Sequence, residues 1–215
     1  MNLYTVGHST HPIGRFLALL EQHEIRLLVD VRSVPRSRRH PQFNREALAA
    51  SLKDAGVEYE FLGRELGARA EDPLLCENGR VSYSRLAATG LFQFGLDKLL
   101  VLGASKRAAI MCAEKEPLDC HRTLLVARAI DSSWRARVHA GLENAAAADG
   151  GPPVEAAGGI EILHIHADGT LESHRDCLRR LVEASKLPPG DLFRSEEERI
   201  AEACRLREEK VAFRR

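Results

Sequence analysis

The sequence predicts an α/β fold, a mostly parallel sheet flanked by helices on both faces, with a C-terminal helical appendage. Three observations carry this. Short apolar runs recur at Leu3–Val6, Leu27–Val31, Val57–Leu62, Arg107–Met111 and Ile160–Ile165. Amphipathic helical patterns separate them, the alternation expected of strand–helix–strand units. The run Leu27-Leu28-Val29-Asp30-Val31 is continuously apolar apart from one acid, as a strand buried on both faces would be.

Taken in order, Leu3-Tyr4-Thr5-Val6 is a strand ended by Gly7. Pro12 suits the first turn of a helix whose apolar face is Phe16, Leu17, Leu19 and Leu20. After the second strand, Asn44 is a good N-cap for a helix from Arg45 to Ala55, and Gly56 is a good residue to follow it. Val57–Leu62 is the third strand. Residues 63–81 read as one long loop holding Gly63, Gly67, Pro73 and Gly79, and such loops are uncommon unless functional or disordered. Ser82 to Gly103 reads as one or two helices, with Gly90 the place for a break. Arg107–Met111 is the fourth strand, followed by a helix from Cys120 to Ile130. Ile160–Ile165 is the fifth strand, and Leu171 to Ala184 carries a helical pattern.

We expect residues 1–185 to form one domain, with 140–159, rich in Ala, Gly and Pro, a surface insertion. Residues 186–215 form the helical appendage, its sparse apolar stripe being Ile200, Cys204 and Val211.

Composition excludes little. The chain has 215 residues with 31 basic and 31 acidic side chains, so only local clustering can argue for a nucleic-acid partner. Five cysteines at irregular spacing give no disulfide framework. No leader-like opening and no membrane-length apolar run is visible. The expectation is a reduced, cytoplasmic protein without a membrane partner.

Chemistry concentrates in Cys112-Ala113-Glu114-Lys115-Glu116-Pro117-Leu118-Asp119-Cys120-His121-Arg122, between a strand and a helix. In open parallel sheets the ligand crevice lies at the carboxyl ends of the strands. Four exits carry reactive groups: Gly7-His8-Ser9-Thr10, the loop from Arg32, the Cys112–Glu114 segment, and His166 with Asp168. Cys120, at a helix start beside His121 and Arg122, is placed to be a nucleophile or a metal ligand, or else an inward-pointing cap. Cys112 is either reactive or a small buried apolar residue. Glu114 and His8 are candidates to manage protons, with His121 beside them. Arg32, Arg36 and Arg38, with Arg122 and Ser9, are candidates to bind an anion, because guanidinium forks match phosphate and carboxylate. The bland alternatives are a solvated basic loop paired with acids elsewhere and, for Arg122, structural pairing with Asp30 or Glu114. Phe43 is more suited to the core than to stacking on a base.

Together, Gly7–Thr10, Leu28–Arg32 with Pro35 and Ser37-Arg38, and Cys112–Glu114 with Cys120–Arg122 resemble the bacterial and archaeal domain-of-unknown-function family 488. Leu66-Gly67, the His164-Ile165 strand end with Asp168-Gly169, and the charged terminal helix also fit. The resemblance implies an α/β fold and a cytoplasmic setting, and supplies no reaction or cofactor. Two departures stand out: Ala68, where the family often has a second glycine, and a longer connection into the fifth strand. The Val-Asp-Val-Arg strand is also similar to rhodanese-type sulfurtransferases, but neither Cys112 nor Cys120 matches that family's cysteine loop. The Cys-x5-Arg spacing of thiol phosphatases is also missing.

Three functions follow. The leading one is a cysteine-dependent hydrolase or transferase acting on a phosphate-containing small molecule, nucleotide or nucleic acid. The second is a thiolate–imidazole metal protein whose site is built from Cys112, Cys120 and His121 or His8, a donor set suited to zinc or iron, against which stands the difficulty of ligating one ion with adjacent Cys120 and His121. The third is a non-enzymatic nucleic-acid binder using Arg32–Arg39.

Overall fold

The computed structural model describes residues 1–133, 159–185, 187 and 194–214; most of the anticipated insertion, residues 140–158, lies outside them. A six-stranded sheet runs β3-β2-β6-β1-β7-β8. Its strands are β1 (Asn2–Gly7), β2 (Leu27–Asp30), β3 (Glu58–Phe61), β6 (Ala108–Cys112), β7 (Glu161–Ile165) and β8 (Leu171–Ser173). All pair in parallel except β7 with β8. Helices α1 (Ile13–Gln22) and α2 (Arg45–Asp54) cover one face. Helices α3 (Tyr83–Ala87), α4 (Gly90–Ser105), α5 (Arg122–Ala127), α6 (His174–Ala184) and α7 (Glu196–Val211) gather on the other.

The strand period of two sorts side chains between two cores. In β6, Ala109 and Met111 pack with Phe16, Leu20 and Leu48. Ala108, Ile110 and Cys112 face the opposite core with Leu99 and Leu124. Cys112 therefore points toward the side from which α5 arrives.

Three expectations are corrected and one is refined. Residues 63–81 are not one loop: β4 (Cys76–Glu77) and β5 (Arg80–Val81) form a hairpin. Its turn is Asn78-Gly79, both at positive φ (50° and 74°), the geometry that two-residue hairpins require. Leu171–Ser173 is an antiparallel edge strand, and the helix begins only at His174, where the Ser173 side chain accepts the Asp176 amide. Helix α5 is wound as a π-helix, a form often found at functional sites. Asn44 occupies the N-cap position of α2, yet its Oδ1 accepts the Ser37 amide at 2.7 Å, so it holds the arginine loop instead of capping the helix.

Helix α7 lies against α6, with Glu196 bonded to Arg175 and Arg179. The chain then turns back, and Phe213 accepts the Val81 amide at 3.0 Å. Among the described residues, no helix is long and apolar enough to cross a membrane.

Candidate active site

Three strand exits meet. The His8 amide donates to the Cys112 carbonyl at 2.9 Å, Ser9 to Ala113 at 2.9 Å and Val31 to Met111 at 3.1 Å. The approach needs Gly7, because a Cβ there would lie 1.9 Å from the Glu114 carbonyl oxygen. The fourth exit does not join. His166 pairs with Glu172 at 3.1 Å, Asp168 closes its own turn through Thr170, and neither lines the cleft.

Cys112, Glu114, Cys120 and His121 form one cluster. Glu114 Oε2 lies 3.0 Å from Cys112 Sγ and 3.2 Å from Cys120 Sγ. His121 Nδ1 is 3.5 Å from Cys112 Sγ, and the two sulfurs and this nitrogen lie within 4.8 Å of one another. His121 Nε2 is 3.0 Å from the Val31 carbonyl. A carbonyl only accepts, so Nε2 carries the hydrogen and Nδ1 turns its lone pair to the sulfurs. The Arg122 amide donates to Cys120 Sγ at 3.4 Å.

Although adjacent in sequence, Cys120 and His121 both turn toward Cys112. Cys120 is extended (φ −134°, ψ 141°) and His121 is helical (φ −63°, ψ −23°). That change of backbone brings both side chains onto Cys112.

Electrostatics divides the two thiols. Burial, and next Cys120, push the Cys112 thiol far up. Burial opposes ionisation of Cys120 too, but the Cys112 thiol, Arg122 and His121 outweigh it and pull Cys120 well down. Burial and the Cys120 charge raise Glu114. His121 is raised because Cys120 outweighs the effect of burial.

Behind this cluster is a closed polar lattice. Arg32 Nε and Nη2 grip Asp30 at 2.9 and 2.6 Å, and Nη2 also reaches the Phe43 carbonyl at 2.9 Å. Arg32 Nη1 donates to His8 Nε2 at 3.2 Å, while His8 Nδ1 donates to the Ser9 carbonyl at 2.9 Å. The His8 ring stacks on Phe43 with centroids 4.2 Å apart, and Phe43 is fully buried. Tyr59 donates to Asp30 at 2.8 Å. His8 thus has its lone pair occupied by Arg32, and Arg32 has its charge met by Asp30. Both are buried, and they position the cleft from behind.

Burial, and then Arg32, lower His8 from 6.5 to about 4. Between those values the unfolded chain binds a proton that the folded chain refuses, so stability falls as pH falls through the window. The expected loss attributable to His8 is on the order of 3 kcal/mol between pH 6.5 and 4. Urea titrations of wild type and His8→Gln across this range check it, and parallel profiles would contradict it.

The remaining candidates are distributed unevenly. Arg122 is fully buried. Its Nη1 and Nη2 donate to the Glu114 and Lys115 carbonyls at 2.6 and 3.2 Å. It clamps the cysteine loop and presents no face to a substrate. Ser9 and Arg36 lie on the cleft lining, Ser9 in a left-handed conformation (φ 50°). Arg38 is exposed and outside that lining.

The cleft has two adjoining chambers. One of about 190 Å³ is lined by Cys112, Glu114, His121, Tyr83, Arg69 and Phe213. The other, about 370 Å³, is lined by His8, Ser9, Arg32, Arg36, His40 and Arg69. They share Arg32, Val34, Arg69, Ala113 and Glu114. A larger cavity of about 550 Å³ between β7, α6 and α7 holds neither thiol.

Arg69, Tyr83 and Phe213 were not anticipated. Arg69 belongs to the segment expected to be one long loop, and its amide donates to Ser33 Oγ at 3.0 Å. Gly67 makes this seat possible, since a Cβ there would meet Ser33 Oγ at 2.4 Å. Phe213, over which the Arg69 guanidinium stacks at 4.9 Å, has no sequence signal.

A family model described as domain of unknown function DUF488 matches residues 12–129, more than half of the chain. The matched stretch includes the arginine loop and all of Cys112–Arg122; Gly7–Thr10 lies before it. No curated protein and no solved structure matches.

Proposed function

The chain belongs to the family of domain of unknown function DUF488, and on that footing we propose that it is an enzyme acting on an anionic, phosphate-bearing substrate. The observation that carries this reading is the shared cleft. A cysteine, a carboxylate and an imidazole line its inner chamber, and Arg36 and Arg69 flank its outer one. Cys112 is the cysteine that lines the chambers among the described residues, so chemistry occurs beside it, with Glu114 moving the proton. Arg69, common to both chambers, together with Arg36, grips the anion. Arg32 and His8 line the cleft with their polar atoms already engaged by Asp30 and by each other, and they position these groups. The chamber sizes suit a small phosphorylated molecule or a single nucleotide. Balanced net charge does not favour a large nucleic-acid footprint.

Turnover assays across phosphate monoesters, nucleotides and short single-stranded oligonucleotides test this. Arg69→Ala is expected to raise KM about tenfold, since a hydrogen bond to a charged group contributes about 1.5 kcal/mol or more. Cys112→Ser is expected to lower kcat by about a hundredfold or more, the scale of a lost proton-transfer or electrostatic contribution. Full turnover in a Cys112→Ser, Cys120→Ser double variant would remove the reading.

A further inference from the structure

We propose that Cys112 Sγ, Cys120 Sγ and His121 Nδ1 bind one zinc-class divalent cation, leaving a fourth position open beside Glu114. Its use in catalysis rests on the reading of the cleft given above; ion binding itself does not.

Four observations converge. First, one donor pair has the spacing of a tetrahedral edge, and the third donor lies close to both. With metal–sulfur near 2.3 Å and metal–nitrogen near 2.0 Å, neighbouring donors stand roughly 3.5–3.8 Å apart. Cys112 Sγ and His121 Nδ1 are 3.5 Å apart, and all three donors fall within 4.8 Å. Second, the imidazole is already oriented. Its Nε2–H is held by the Val31 carbonyl at 3.0 Å, the outer contact that fixes the tautomer of a ligating histidine. Third, the Arg122 amide donates to Cys120 Sγ at 3.4 Å, support for a thiolate. Fourth, two sulfurs and an imidazole are a soft donor set, which suits zinc or iron and not magnesium or calcium.

Three protein ligands and a neighbouring carboxylate describe a catalytic ion site more closely than a structural one, which would be closed by four. Glu114 Oε2, 3.0 and 3.2 Å from the sulfurs, stands beside the position left for water. The chamber of about 190 Å³ opens onto Cys112, Glu114 and His121, with Cys120 behind them. Binding releases the two thiol protons. A water on the ion then gives a proton to the Glu114 carboxylate, leaving a hydroxide. The hydroxide attacks the bound phosphoryl group; as the bond to the leaving oxygen breaks, Glu114 returns the proton to that oxygen. Both cysteines thus act as ligands, and no covalent enzyme intermediate forms.

The test uses the full chain, prepared without a metal-affinity tag, stripped with chelator and titrated with zinc, and in parallel with cobalt(II). The expected result is one equivalent bound, with a thiolate-to-cobalt charge-transfer band. Cys120→Ser and His121→Gln should each weaken zinc by more than the roughly 10–100-fold that outer-contact changes cost, and Cys76→Ser should change nothing. Circular dichroism separates loss of ligand from loss of fold. Wild-type protein that is folded and takes up no zinc overturns the proposal, as does uptake indifferent to both substitutions. If turnover persists in the metal-free protein and is lost in Cys112→Ser, the ion's catalytic use is wrong and the enzyme reading stands. If the ion binds as described and no anionic substrate turns over, the enzyme reading fails and the ion site stands.

Discussion

Asp30→Ala lowers the unfolding free energy by about 3–5 kcal/mol, the cost of leaving one partner of a buried ion pair alone. Asp30 is fully buried and Arg32 nearly so. The carboxylate accepts from the Arg32 amide, Nε and Nη2, and from Tyr59 Oη. Removing it leaves a buried guanidinium holding only the Phe43 carbonyl and His8, and leaves the tyrosine hydroxyl without an acceptor. Asp30→Leu combined with Arg32→Met should restore a large part of the loss, because paired apolar replacements of buried ions are often close to neutral. Urea denaturation of wild type, single and double variants measures both effects. A single variant within about 1 kcal/mol of wild type would show the pair to be solvated, as exposed pairs are.

Gly7→Ala is the second large effect, and it strikes fold and site together. The added Cβ would stand 1.9 Å from the Glu114 oxygen and 3.3 Å from Arg122 Nη1. Both strands that meet there, β1 and β6, are interior to the sheet, so neither backbone can retreat freely. Forced overpacking costs about 1–3 kcal/mol when side chains absorb it, and more when backbone must move. We expect 3 kcal/mol or above on that scale. The Glu114 carbonyl also anchors Arg122 at 2.6 Å, so the carboxylate should swing away from both sulfurs, with zinc uptake and turnover falling in whatever protein still folds. Gly14→Ala is the matched control. Nothing lies within 4 Å of its Cβ, and it sits in α1, so it should stabilise by up to about 1 kcal/mol. Equal melting curves for Gly7→Ala and wild type would contradict the close approach.

The α/β alternation was legible because strand runs and helix periods are local patterns. So was the gathering at the carboxyl ends of three strands, which follows from parallel topology alone. The convergence of Cys112 and Cys120 was half visible: both were suspected, but their meeting depends on the backbone change at His121. The hairpin at Asn78-Gly79 had its signal in that dipeptide and was absorbed into a glycine-rich loop. Leu171–Ser173 was too short to distinguish from the helix behind it. The roles of Arg32 and Arg122 could not be read locally. A guanidinium facing solvent and one clamped on buried carbonyls have the same sequence, and only tertiary contacts with Asp30, Phe43, Glu114 and Lys115 decide between them. Arg69 and Phe213 reach the cleft through contacts across 144 positions of chain, a separation to which no periodicity extends.

The proposed function requires that segments distant in sequence build one cleft that holds an anion over Cys112. Amide chemical shifts of ¹⁵N-labelled protein, followed while inorganic pyrophosphate is added, are the decisive measurement. Concerted, saturating shifts are expected at Ser9, Arg36, Arg69, Ala113 and Glu114, lost in Arg69→Ala. Shifts confined to Arg38 and Arg39, or to the cavity around Arg128 and Arg175, would contradict it.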